Sequence, residues 1–121
     1  MHGWAVVVWL LAISGAGACP DECECSPDGR RATCRDAAEF PYLLSPLTQH
    51  LDVSGTAISS LSMPIANIAP DLRTLRLRGA RVSRVDEGVF HGLRVLEQLD
   101  LSHNNISYLN PTTFRDLESL Q

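Results

Sequence analysis

Leu72, Leu96 and Leu120 stand 24 residues apart, and that interval governs most of what lies between them. One unit reads Leu72, Leu75, Leu77, Val82, Val85, Phe90, Leu93. The next reads Leu96, Leu99, Leu101, Ile106, Leu109, Phe114, Leu117, so seven apolar positions match without a gap. Repetition at a fixed period of this length means stacked supersecondary units, none of which can bury its apolar side alone. The Leu-x-Leu pairs, Leu75/Leu77 and Leu99/Leu101, share one face of a short strand. A coil of 24 residues must turn back on itself, so its apolar residues point inward and successive coils form a parallel sheet over one continuous core. Leu93, Leu96 and Leu99 alone would also fit a helix, but a helix does not explain Leu-x-Leu pairs recurring at an unbroken shift. Upstream, Leu51, Val53, Ile58 and Leu61 continue the pattern before its register degrades. Ala66 and Ala69 then stand where the Phe and the following Leu belong, and Ile65 and Ile68 are expected to fill that space from shifted positions.

The start of the chain is organised differently. Residues 4–13 read WAVVVWLLAI, an apolar run followed by Ala16-Gly17-Ala18. This is the pattern of a secretory signal peptide, assigned to residues 1–18 with cleavage before Cys19, although Met1-His2-Gly3 lacks the usual basic residue. A spanning helix needs about 20 apolar residues, and the run is shorter. Secretion decides how the cysteines read. They occur as Cys19-x3-Cys23-x-Cys25-x8-Cys34, and in an oxidising compartment an even number at close spacing means disulfides. A zinc site favours Cys-x2-4-Cys knuckles, which the single residue between Cys23 and Cys25 does not supply. Three pairings remain open on spacing alone.

At 121 residues the chain suits one small domain and leaves no room for a two-domain enzyme. Its charged residues are ten Arg, no Lys and fourteen acids, for a net charge of −4, which excludes a generally basic nucleic-acid binder. No catalytic constellation is present. His50, His91 and His103 share no metal-ligand spacing, and there is no nucleophile elbow or phosphate-cradling glycine loop. No enzyme activity, metal or cofactor is expected.

Leu96-Glu97-Gln98-Leu99-Asp100-Leu101-Ser102-His103-Asn104-Asn105-Ile106 matches L-x-x-L-x-L-x-x-N-x-L, the signature of leucine-rich repeats. On this motif and the Cys19-Pro20-x2-Cys23-x-Cys25-x8-Cys34 run, residues 19–121 resemble the extracellular leucine-rich repeat family: Toll-like receptor ectodomains, Slit proteins and small leucine-rich proteoglycans. The resemblance implies an α/β-type solenoid, a horseshoe segment with short parallel strands capped by a disulfide-stapled β-hairpin. In that family the cap pairs first with third and second with fourth cysteine, which implies Cys19–Cys25 and Cys23–Cys34. The cap would span 19–47, a degenerate repeat 48–71, and two good repeats 72–95 and 96–119. Residues 120–121 would open a further coil, so the chain is expected to be the N-terminal part of a longer ectodomain, with Leu99, Leu101, Ile106, Leu109, Phe114 and Leu117 close to an uncovered end. The motif's inward asparagine is Asn104, while Ala80 and Thr56 hold the matching positions. Ala80 cannot make that residue's hydrogen bonds, so the second coil is expected to be looser or hydrated there.

Outward strand positions 24 apart stack about 4.8 Å from one another and form columns across the concave face. These are Asp52/Arg76/Asp100, Ser54/Arg78/Ser102 and His50/Thr74/Gln98. The first alternates in sign and reads either as charge compensation across the sheet or as a ligand-contact stripe. Arg78, between two serines, lacks an acidic neighbour in its column and is the more available contact. Arg73, Arg76, Arg78, Arg81 and Arg84 crowd the second coil, either as a site for a sulfated glycan or acidic surface or as a solvated face. Asn105-Ile106-Ser107 is an N-glycosylation acceptor with Asn105 expected in solvent. The resulting expectation is a non-enzymatic extracellular recognition module, secreted or on the outer face of the plasma membrane. It would bind a protein ligand through Asp52, Ser54, Arg76, Arg78, Asp100 and Ser102. Receptor or adhesion roles follow by resemblance, with membrane attachment only through a downstream segment. The alternative is a secreted matrix protein of the proteoglycan kind, binding fibres or growth factors.

Overall fold

The computed structural model describes residues 19–115 and 117–120, so the assigned signal peptide lies outside the described residues. Two strands open the chain, β1 (Cys23–Cys25) and β2 (Arg31–Cys34), paired antiparallel as a hairpin. Then follow β3 (His50–Asp52), β4 (Ser60–Leu61), β5 (Thr74–Arg76), β6 (Arg84–Val85) and β7 (Gln98–Asp100). The main sheet runs β1-β2-β3-β5-β7, parallel from β2 onward, while β4 and β6 form a small second parallel sheet. His50, Thr74 and Gln98 are register partners, as are Leu51, Leu75 and Leu99, and Asp52, Arg76 and Asp100. The chain forms a leucine-rich repeat solenoid with a disulfide-stapled cap. Its helical content among the described residues is one 3-10 turn, Ile65–Asn67, after Pro64.

Each strand begins in the same way. The Gln49 carbonyl accepts the N–H groups of Arg73 and Thr74, and the Arg73 carbonyl accepts those of Glu97 and Gln98. The cap reproduces this one step earlier, because the Arg30 carbonyl accepts from Gln49 and His50. Each coil also leaves the sheet in the same way, at a left-handed residue: Gly55 (φ 70°), Gly79 (φ 65°) and His103 (φ 58°). The hairpin therefore presents to the first coil the backbone that a preceding coil would present. This satisfies donors that would otherwise lie on an open sheet edge.

Leu51, Val53, Leu61, Ile65, Leu72, Leu75, Leu77, Val82, Val89, Phe90, Leu93 and Leu96 are buried almost completely. Each side chain of this size contributes about 1.5–3 kcal/mol on leaving water. Ile65 is buried, with its N–H bonded to the Val89 carbonyl at 3.0 Å, and Ile68 packs partly buried against the core. At the position of the absent Phe the next coil comes close. Gly92 (φ 86°) approaches so near that a Cβ there would lie 3.2 Å from that of Ala66. One coil further on, Phe90 and Phe114 stack with centroids 5.7 Å apart.

The expectation of a loose or hydrated second coil is overturned. Ala80 is fully buried, and its N–H donates to Asn104 Oδ1 at 2.9 Å. The same oxygen accepts the Val82 N–H, while Asn104 Nδ2 donates to the Leu77 and Leu101 carbonyls. An inward asparagine thus serves the coil before it as well as its own. What Ala80 lacks is felt by the first coil, where the Thr56 hydroxyl donates to the Val53 carbonyl and the Ile58 N–H to the Ala80 carbonyl.

In the cap, Cys19 is bonded to Cys25 and Cys23 to Cys34, the pairing that the family resemblance implies. Each of two short loops closed in this way stabilises by roughly 2–3 kcal/mol. Cys34, Phe40 and Leu44 join the cap to the core of the coils.

Candidate concave recognition face

The outward side chains of β2, β3, β5 and β7 lie on one surface because their inward neighbours Ala32, Leu51, Leu75 and Leu99 face the core. Two rows run across it: Arg31, His50, Thr74, Gln98 and Thr33, Asp52, Arg76, Asp100. Arg31 and Thr33 are not legible from the repeat, because the interval from β2 to β3 is shorter than 24 residues. The alternation of Arg31 and Thr33 with the buried Ala32 and Cys34 is the one sequence signal that points to them.

The alternating charges of Asp52, Arg76 and Asp100 do not compensate one another by contact. The ion pairs among the described residues are Arg73–Glu97 at 3.7 Å and Arg84–Asp86 at 3.5 Å. Asp52 Oδ1 instead accepts the Ser54 N–H at 3.0 Å, and Asp100 Oδ1 accepts the Ser102 N–H at 2.9 Å and its hydroxyl at 2.6 Å. Both carboxylates are used where their strands end, as Asx-type turns. The bonds from Ser102, aided by Arg78 and Arg76, hold the Asp100 carboxyl below its ordinary range. Arg76 is exposed between these two acids, with neither within ion-pair distance.

Arg78 is not without a neighbour: its Nη2 lies 3.2 Å from His103 Nε2, and its N–H donates to the Ser54 hydroxyl. The five arginines of the second coil do not form one patch. Arg76 lies on the main sheet and Arg84 on the small second sheet, while Arg73 and Arg84 are the two engaged in ion pairs. His50 is half-buried, with Nδ1 2.8 Å from the Thr74 hydroxyl. Desolvation, with Arg31 and Arg73 nearby and Glu97 opposing them, holds its pKa below the ordinary value of 6.5. Asn105 and Ser107 are exposed.

Among the described residues, cavities also lie off this face. One, in the cap, is lined by Glu22, Asp36, Glu39, Phe40, Tyr42 and Leu43 among others. Another adjoins Asn104 and Tyr108, and a third runs along the strand-exit turns past Gly55 and Gly79. Among the described residues no group of three or more His, Cys, Asp or Glu could hold a metal ion, and no helix is long and apolar enough to cross a membrane.

The sequence profile of leucine rich repeats matches residues 70–121. Trophoblast glycoprotein of Macaca fascicularis is 37% identical over 101 residues, covering 79% of this chain and 24% of its own. Human leucine-rich repeat-containing G-protein coupled receptor 5 is 38% identical over 99 residues, covering 75% and 11%. Bovine leucine-rich repeat-containing protein 3B is 32% identical over 117 residues, covering 93% and 45%. The chain thus spans less than half the length of these relatives. The crystal structure of human trophoblast glycoprotein superposes with a TM-score of 0.69 at 34% identity, covering 80% of this chain and 37% of that one.

Proposed function

The chain belongs to the leucine-rich repeat proteins with a cysteine-rich N-terminal cap, and from that premise we propose that it is a non-enzymatic extracellular recognition module. Its relatives support a protein-interaction role, and one of those named above is a receptor. The observation that carries the reading is the register of the main sheet, which gathers eight outward side chains from four strands on one face. Asp52, Ser54, Arg76, Arg78, Asp100 and Ser102 are its proposed contacts, joined by Arg31 and Thr33 from the cap. Fold alone does not fix a partner, and recognition rests on these side chains. We place the module in a cell-surface receptor or adhesion ectodomain. The alternative is a secreted matrix protein of the proteoglycan kind, binding fibres or growth factors.

The test is to screen the secreted chain against arrayed cell-surface ectodomains and to repeat every hit with concave variants. Arg76→Glu and Gln98→Arg should abolish binding, whereas Arg94→Glu, off the sheet, should not. Hits insensitive to the concave changes would remove the reading. Asn105 carries an N-linked glycan in this proposal, supported by its exposure beside the inward Asn104. Enzymatic deglycosylation should lower the mass of the secreted protein but not that of its Asn105→Gln variant.

A further inference from the structure

Where the cap meets the first two coils, the concave face sinks into a depression of about 180 Å³ whose outward lining is Arg31, Thr33, His50, Asp52, Thr74 and Arg76. We infer that this depression is the docking pocket for a single aspartate or glutamate side chain of the protein partner, gripped between Arg31 from the cap and Arg76 from the second coil. The inference rests on the concave-face reading and names the chemistry that face selects.

Both guanidinium groups are exposed, and among the described residues neither has a carboxylate within ion-pair distance. For Arg76 this is informative, because its register partners on both sides are aspartates. Each of them spends an oxygen on its own strand end, at Ser54 and Ser102, so the fork of Arg76 is available to an incoming carboxylate. Arg31 and Arg76 sit on strands flanking β3 and two residues apart in register, about 12 Å apart at the backbone, and both line the depression. A planar fork binds a carboxylate through two parallel hydrogen bonds, which a lysine cannot do. Desolvation first, and then Arg31 and Arg73 against Glu97, oppose protonation of the His50 ring below.

The geometry also selects among anions. The pocket has room for one side chain, and Asp52 and Asp100 flank Arg76 at about 4.8 Å steps. A sulfated glycan, charged along its whole length, would meet a like charge on either side of the arginine. A protein segment with one acid among neutral residues brings a single negative charge beside Asp52, with two arginines to offset it.

The test follows the arginine Nε–Hε resonances of the secreted chain by NMR while short peptides are added. A peptide with one glutamate between glycines should shift the Arg31 and Arg76 resonances saturably and leave Arg94 and Arg115 in place. Its glutamine counterpart should do nothing. Arg31→Ala and Arg76→Ala should each weaken the response roughly tenfold, and Arg76→Lys several-fold, since it keeps the charge but loses the fork. Because both positions are exposed, the backbone spectrum should otherwise be unchanged. Equal shifts from the glutamine peptide, equal responses at all arginines, or a response to a heparin hexasaccharide but not to glutamate would each overturn the pocket. So would no response to the peptide. If ectodomain hits then stay sensitive to Gln98→Arg, the recognition reading survives without the pocket. Loss of that sensitivity too removes both.

Discussion

The two junctions between coils solve one problem by different means. Between the second and third coils a side chain does the work: Asn104 ties Ala80, Val82 and Leu77 to its own coil, and Phe90 stacks on Phe114. Between the first and second coils the equivalents are Ala80 and Ala66, which can do neither. There main chain makes the contacts, with Gly92 against Ala66 and the Ile58 N–H bonded to the Ala80 carbonyl, while the Thr56 hydroxyl satisfies Val53 within the first coil. The strand register is the same at both junctions. Coil stacking is therefore set by the strands and the leucines beneath them, while the inner corner must only leave no buried polar group unpaired.

The largest separation of the two junctions should come from Asn104→Ala. It strips partners from two buried N–H groups and a carbonyl of the neighbouring coil, and should lower stability by about 3 kcal/mol in urea unfolding. Amide exchange should locate the damage at Ala80 and Val82 rather than at Ile58. Next comes Gly92→Ala, which forces a side chain into a left-handed conformation and against Ala66, for about 1–2 kcal/mol. Combining it with Ala66→Gly should recover the part due to contact and none of the part due to φ, which a double-mutant cycle reads directly.

Smaller still is Thr56→Val, near-isosteric, which removes one buried hydroxyl bond at about 1 kcal/mol. The smallest expected effect is one of pH. His50 joins the first coil to the second through Thr74, while Gln98 holds that place in the third coil. The fold favours the neutral ring, so the unfolded chain binds the proton more readily as pH falls below 6.5. Stability should be flat above that value and decline slightly through it toward the lowered folded pKa. His50→Gln should abolish the slope in that window, and a slope that persists would point to another group.

Strands and register were readable because Leu51, Leu75 and Leu99 repeat without a gap, and a period is a global constraint that local propensity cannot imitate. The cap's share of the concave face was not, because β2 joins the sheet at a different interval from the rest. The turn bonds of Asp52 and Asp100 were not legible for a related reason. Their neighbours across the sheet are set by the period, but their bonds to Ser54 and Ser102 lie only two residues along the chain. Ala80 misled because its column was read within its own coil, whereas Asn104 acts across to the coil before. The β4–β6 ladder passed unseen for want of length, since two residues per strand carry too little pattern.

Each coil starts its strand from a carbonyl shared by two amide groups, at Arg30, Gln49 and Arg73 in turn, and that instruction is written in main chain alone. Positions 76 and 98 are thereby released from the task of building the sheet, whereas 52 and 100 are not. A lineage exchanging residues at the first two would change what the surface greets and keep the same scaffold. Drift at the two aspartates would alter the scaffold first.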